Sequence, residues 1–123
     1  MIIAPHPYSK EGVGGQLVEK LKFDAIEAFN SRMLSRHNRK AKELAARLGL
    51  PMVASSDAHI ADEIANGVTA LDLDELSIEA VKDAIIRGKM RIHQERRTRS
   101  MTRVYSKKIG LLFHVSKRPR CEE

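Results

Sequence analysis

Apolar positions along the first 86 residues come in short runs whose spacing switches between two periods. Met1-Ile2-Ile3-Ala4 is a β-prone run stopped by Pro5 and Pro7, with His6 held between the prolines. Residues 9–15 form a glycine-bearing loop, and residues 16–21 place Leu17, Val18 and Leu21 at the spacing of a short helix. Residues 23–29 alternate, with Phe23, Ala25 and Glu27 on one face and Ile26 on the other, until Asn30 and Ser31 break the pattern. From about Leu34 to Leu48, the positions Ala41, Leu44, Ala45 and Leu48 predict a helix that Gly49 stops. Met52 to Ser55 predicts a strand that runs into polar Asp57 and His59.

Beyond it, residues 62–65 can form one helical turn, Asn66-Gly67 signals a turn, and Val68 to Leu71 fits a short strand. Ser77 can cap a helix over residues 78–87, striped by Val81, Ala84 and Ile85, with Gly88 just past its end. Residues 90–93 and 110–115 fit strands, separated by a polar, arginine-rich run over residues 94–108. There is no internal repeat. Strand, helix and strand in alternation predict an α/β fold with mainly parallel strands. Sites in such folds gather at the C-terminal ends of strands. Three polar features fall there: His6 after the first strand, Glu27 to Asn30 at the end of the second, and Asp57 with His59 after the third.

Asp57 and His59 are two residues apart, so an extended backbone aims both at one spot. One carboxylate with one imidazole suits a divalent ion such as Zn, Mn or Fe. Alone, Asp-x-His is a weak signal; its place at a strand end beside two other polar ends strengthens it.

Composition narrows the setting. The chain has 123 residues, enough for one modest domain, and only 4% aromatic residues, so its core rests on Ala, Leu, Ile, Val and Met. No apolar run approaches the roughly 18 residues of a membrane span, and the N-terminal residues lack the pattern of a secretion signal. A single cysteine, Cys121, allows no internal disulfide, and a cytoplasmic setting is the simplest expectation. Charge is uneven. Over residues 1–86, 10 Lys and Arg face 13 Asp and Glu, a net −3; over residues 87–123, 12 face 3, a net +9. The basic excess therefore belongs to a tail.

The stretches IIAPHPY (residues 2–8), FDAIEAFNSR (23–32), NRKAKELAARLGLPMVASSDAH (38–59) and DEIANGVTAL (62–71) resemble, in order and spacing, the later motifs of the PHP (polymerase and histidinol phosphatase) domain family. The resemblance covers roughly residues 1–90. It implies a distorted (β/α)7 barrel with a cluster of divalent metal ions, Zn, Mn or Fe, at its mouth, hydrolysing phosphate esters. It further implies that His6, Asp57 and His59 are metal ligands, and that Glu27 and Asn30 lie behind the ligands without binding metal. The cations would activate water and offset charge on the phosphoryl group.

The chain departs from that family in one large respect. It has no His-x-His and nothing before its first strand to supply the other ligands. The expectation is half of such a barrel over residues 1–92, with mainly parallel strands, followed by a basic extension over residues 93–123. Half a barrel has two open sheet edges, so a homo-oligomer or an N-terminal partner is expected to cover them. A non-catalytic module acting in assembly, or binding nucleic acid through the tail, is the alternative. Residue by residue, Glu27 also reads as a strand-end acid paired with a Lys or Arg, and Asp62 and Glu63 as carboxylates at a helix start. His37 reads as solvated, His93 and His114 as packed, and Cys121 as chemically idle.

Overall fold

The computed structural model describes residues 1–10 and 12–98. Two sheets and three helices follow the chain in order: β1 (Ile3–Ala4), α1 (Gly15–Lys20), β2 (Ala25–Asn30), α2 (Ser35–Leu48), β3 (Met52–Ser55), β4 (Gly67–Leu71), α3 (Ile78–Ile86) and β5 (Met90–Glu95). A single 3-10 turn, Ala61–Glu63, lies between β3 and β4. The predicted strand at residues 110–115, together with His114, Cys121 and most of the basic tail, lies outside the described residues.

The first sheet has the order β1-β2-β3, and both pairings are parallel. Two parallel neighbours need crossovers, which α1 and α2 supply. β2 is the middle strand and all six of its residues are buried. Ile26 meets Ala4, Val18, Ala41, Leu44 and Ala45 in the core, with Tyr8, Val13, Phe23, Leu48, Leu50 and Met52 packed around them. Burying side chains such as Ile26 and Leu44 stabilises the fold by about 1.5–3 kcal/mol each. α2 ends where the sequence predicts, because Gly49 takes a left-handed φ of 65° and its amide closes the last turn onto Ala45 and Ala46. An Arg47–Glu19 ion pair at 2.5 Å ties α2 to α1.

The remaining strands depart from a uniformly parallel layout. β4 and β5 pair antiparallel as a separate ladder, with α3 between them in sequence. No closed barrel forms among the described residues; the fold is mixed α/β with a three-stranded parallel sheet. β4 and β5 pack along the outer side of β3, where the Thr69 hydroxyl accepts from the Ala54 amide at 2.8 Å and donates to the Ala54 carbonyl at 3.0 Å. Gly67 lets β4 start there, since a Cβ at that position would lie 2.1 Å from the Ser55 carbonyl oxygen. β1, at the other side, has no second neighbour among the described residues.

The Ser77 side chain caps α3 as its sequence predicts, accepting from the Ala80 amide. β5 continues through Glu95, after which the Arg96 amide bonds the Asn66 carbonyl and the Thr98 amide bonds the Ser31 carbonyl. Residues 96–98 therefore return to the C-terminal end of the parallel sheet.

Candidate functional site

A bulge in β2 shapes that end of the sheet. Ile26 and Glu27 pair with Met52 and Val53, but Phe29 and Asn30 pair with Ala54 and Ser55, so β2 carries one extra residue. In a regular strand, Glu27 and Asn30 are three apart and point to opposite faces. The extra residue returns Asn30 to the face of Glu27, Val53 and Ser55, which is how bulges commonly re-aim side chains.

Glu27 is the hub. Its buried carboxylate accepts from the His6 amide at 2.5 Å, from Asn30 Nδ2 at 3.2 and 3.3 Å, and from the Ser55 hydroxyl. One side chain thus ties the ends of β1, β2 and β3 together. The expectation of a Lys or Arg partner for Glu27 is corrected: neutral donors on β2, on β3 and in the loop after β1 satisfy its oxygens instead. Asn30 Nδ2 also reaches Asp57 Oδ2 at 3.3 Å, so it lies between two carboxylates. Its own position is fixed by a reciprocal pair with Asn38, which accepts from the Asn30 amide at 3.2 Å and donates to its carbonyl at 3.0 Å.

The two side chains first singled out, Asp57 and His59, do come together. His59 Nδ1 is 2.8 Å from the Asp57 carbonyl oxygen and 3.9 Å from Asp57 Oδ1. A carbonyl can only accept, so Nδ1 carries the proton and the lone pair is left on Nε2. A backbone carbonyl fixing the tautomer in this way is the common arrangement behind a metal-binding imidazole. His6 is joined to the same end through its amide on Glu27, and its ring nitrogen Nδ1 meets the Ser9 hydroxyl at 2.8 Å. His6 and Asp57 have left-handed backbones, with φ of 23° and 49°, a conformation costing about 1–3 kcal/mol that tends to collect at functional sites.

In kind, these donors suit a borderline divalent cation. In number they fall short: among the described residues no group of three or more His, Cys, Asp or Glu side chains is placed to hold one ion. Asp57 and His59 form a pair, and His6 stands apart from it.

Beneath His59 lies a feature the sequence does not announce. Glu63, 2% exposed, accepts from the His59 amide at 2.8 Å and pairs with Arg32 Nη1 at 2.9 and 3.1 Å. Burial alone would raise its carboxyl pKa. The His59 amide and the Arg32 guanidinium, joined by the Ile60 amide, outweigh burial and hold the group below the ordinary glutamate value. Arg32 and Glu63 are 31 residues apart, so no local spacing links them. Ser31 escapes a sequence reading for the same reason; its hydroxyl bonds the Ser56 carbonyl at 2.5 Å and meets Thr98 Oγ1 at 3.1 Å.

Two histidines sit differently from their sequence expectation. His37 is half-buried and lines a small recess with His6, Tyr8 and Glu27. His93 is exposed on β5 rather than packed. No described helix is long and apolar enough to cross a membrane.

Residues 35–90 match the model of a family described as PHP-associated. No curated protein matches the chain, and no solved structure does.

Proposed function

We propose, on the premise that residues 35–90 belong to the PHP-associated family, that this sheet end is part of a divalent-metal site of the phosphoesterase type. Asp57 and His59 would hold the cation, which would be Zn, Mn or Fe, while His6, in the loop after β1, stands apart from that pair and would join only a larger cluster. When bound, it would supply Lewis-acid activation of a phosphate ester. The chain's own residues do the positioning. Asn30 holds the Asp57 carboxylate, Glu27 holds the His6 backbone, and the Asp57 carbonyl holds the His59 tautomer. The observation that carries this reading is Asn30 Nδ2 bridging Glu27 and Asp57, which only the β2 bulge permits.

Titrating a phosphate monoester into the chain with and without Mn²⁺ tests it. Binding that requires the metal and falls at least about tenfold in Asp57→Ala is expected. Binding indifferent to both contradicts the reading.

Because the ligand set is short, further ligands are proposed to come from a second polypeptide segment seated along β1, as in half of a (β/α) barrel completed by its other part. Supporting this, β1 has no second neighbour among the described residues, and Met1 and Ile2, which lead into it, are exposed. A second copy is the simplest source. Light scattering is then expected to give a mass above the 13.8 kDa of one chain, reduced by Ile2→Lys. A stable monomer contradicts self-association.

The alternative, a nucleic-acid-binding module, has one observation in its favour. Thr98, the last described residue before most of the basic residues of the tail, is bonded to Ser31 at the site end. A steep fall of oligonucleotide affinity with salt would support it.

A further inference from the structure

We propose that Glu63 is a positioning residue: its buried carboxylate, anchored by Arg32, fixes the backbone of His59 and so sets the direction of the His59 imidazole relative to Asp57. The inference rests on reading His59 as a metal-binding residue.

The His59 side chain is 42% exposed, and the one hydrogen bond its ring makes among the described residues is local, to the Asp57 carbonyl. Little packing orients such a ring, so its direction is inherited from the loop that carries it. That loop is held from below. Glu63 lies four residues on, in the 3-10 turn, and accepts the His59 amide with one oxygen while both oxygens face Arg32.

Arg32 in turn follows the end of β2, and its amide donates to Asn30 Oδ1 at 2.9 Å. Asn30 is the residue that holds Asp57. Two arms therefore leave the same strand end, one bracing the Asp57 carboxylate and the other, through Arg32 and Glu63, bracing the His59 amide. Their common root fixes the separation of the two side chains. Stability alone is a poor reason for the pair. A buried ion pair is often replaceable by apolar residues without loss, yet removing one partner is costly. Its placement under the loop that carries His59 gives it a positional use.

Glu63→Gln tests this, since it keeps size and an acceptor oxygen but removes the charge. Arg32→Lys is a milder second variant should the first fold poorly, and Val18→Ala serves as a control for lost stability away from the site. Hydrogen exchange of the His59 amide is expected to quicken at least about tenfold in Glu63→Gln, and less in Arg32→Lys. The ring-nitrogen NMR signals should show a smaller share of the Nδ1-protonated tautomer. Mn²⁺ affinity should drop about 10–100-fold, as for loss of a residue behind a ligand, and stay at the wild-type level in Val18→Ala. An unchanged His59 amide and ring in both site variants would overturn the proposal. So would a loss of metal affinity matched by Val18→Ala. If His59→Ala binds Mn²⁺ as wild type does, the metal-site reading fails, while the amide and ring signals still decide whether Glu63 positions His59.

Discussion

β2 and β4 are strands of similar length in one small protein, and they are built in opposite ways. All six residues of β2 are buried, with α2 packed against the strand and polar side chains bonded at its end. None of the five residues of β4 is fully buried, and Leu76, ahead of α3, and Ile78, at its start, are 92% and 68% exposed. The strongly held half of the molecule is thus the parallel sheet with α1 and α2, and the candidate site sits at its end. The antiparallel ladder packs against β3 and is tied to the rest by Thr69 on Ala54 and by the Lys42–Glu95 ion pair. Precision at the site comes from the buried half.

The largest expected effect that separates these halves is on the core. Leu44→Ala should cost about 2–5 kcal/mol in denaturant unfolding, whereas Ile78→Ala at the exposed start of α3 should change stability by no more than about 0.5 kcal/mol. Equal costs would break the comparison. Next comes Asn30→Ala, which withdraws a donor shared by the buried Glu27 carboxylate and Asp57. It should cost about 1–3 kcal/mol. Asn30→Asp should be worse still, because it sets a third carboxylate between two others.

A smaller effect is expected in acid. Because the Glu63 carboxyl is held below its ordinary value of 4.5, its contribution to stability is present above that pH and is lost as pH falls through the depressed value. Glu63→Gln should therefore flatten part of the stability profile below pH 4.5 while lowering stability at neutral pH. An acid limb unchanged by the substitution would count against an ionised Glu63.

Much of the fold is legible in the chain, and the reasons are local. α2 carries a clear apolar stripe and a glycine stop, Ser77 caps α3, and the run before Asp57 ends where β3 ends. What is illegible is non-local. Periodicity at residues 90–93 indicates a strand but not that it pairs antiparallel with β4, since pairing direction depends on where the chain returns. The face shared by Glu27 and Asn30 depends on a bulge defined by the neighbouring strand. The Arg32–Glu63 pair joins two charges that look like ordinary surface residues in sequence. Asp57 and His59 are neighbours as the sequence suggested, but not along an extended strand: β3 ends at Ser55, and a left-handed backbone at Asp57, φ 49°, brings the His59 ring back onto the Asp57 carbonyl.

The central claim is that this strand end was built to hold a divalent cation through Asp57 and His59. The most direct measurement is the Mn²⁺ or Zn²⁺ affinity of wild type, Asp57→Ala, His59→Ala and His93→Ala, the last removing an exposed histidine on β5. The account predicts that affinity falls at least about tenfold in the first two variants and is unchanged in the third. Equal affinity in all four proteins, or an equal loss in all three variants, would contradict it.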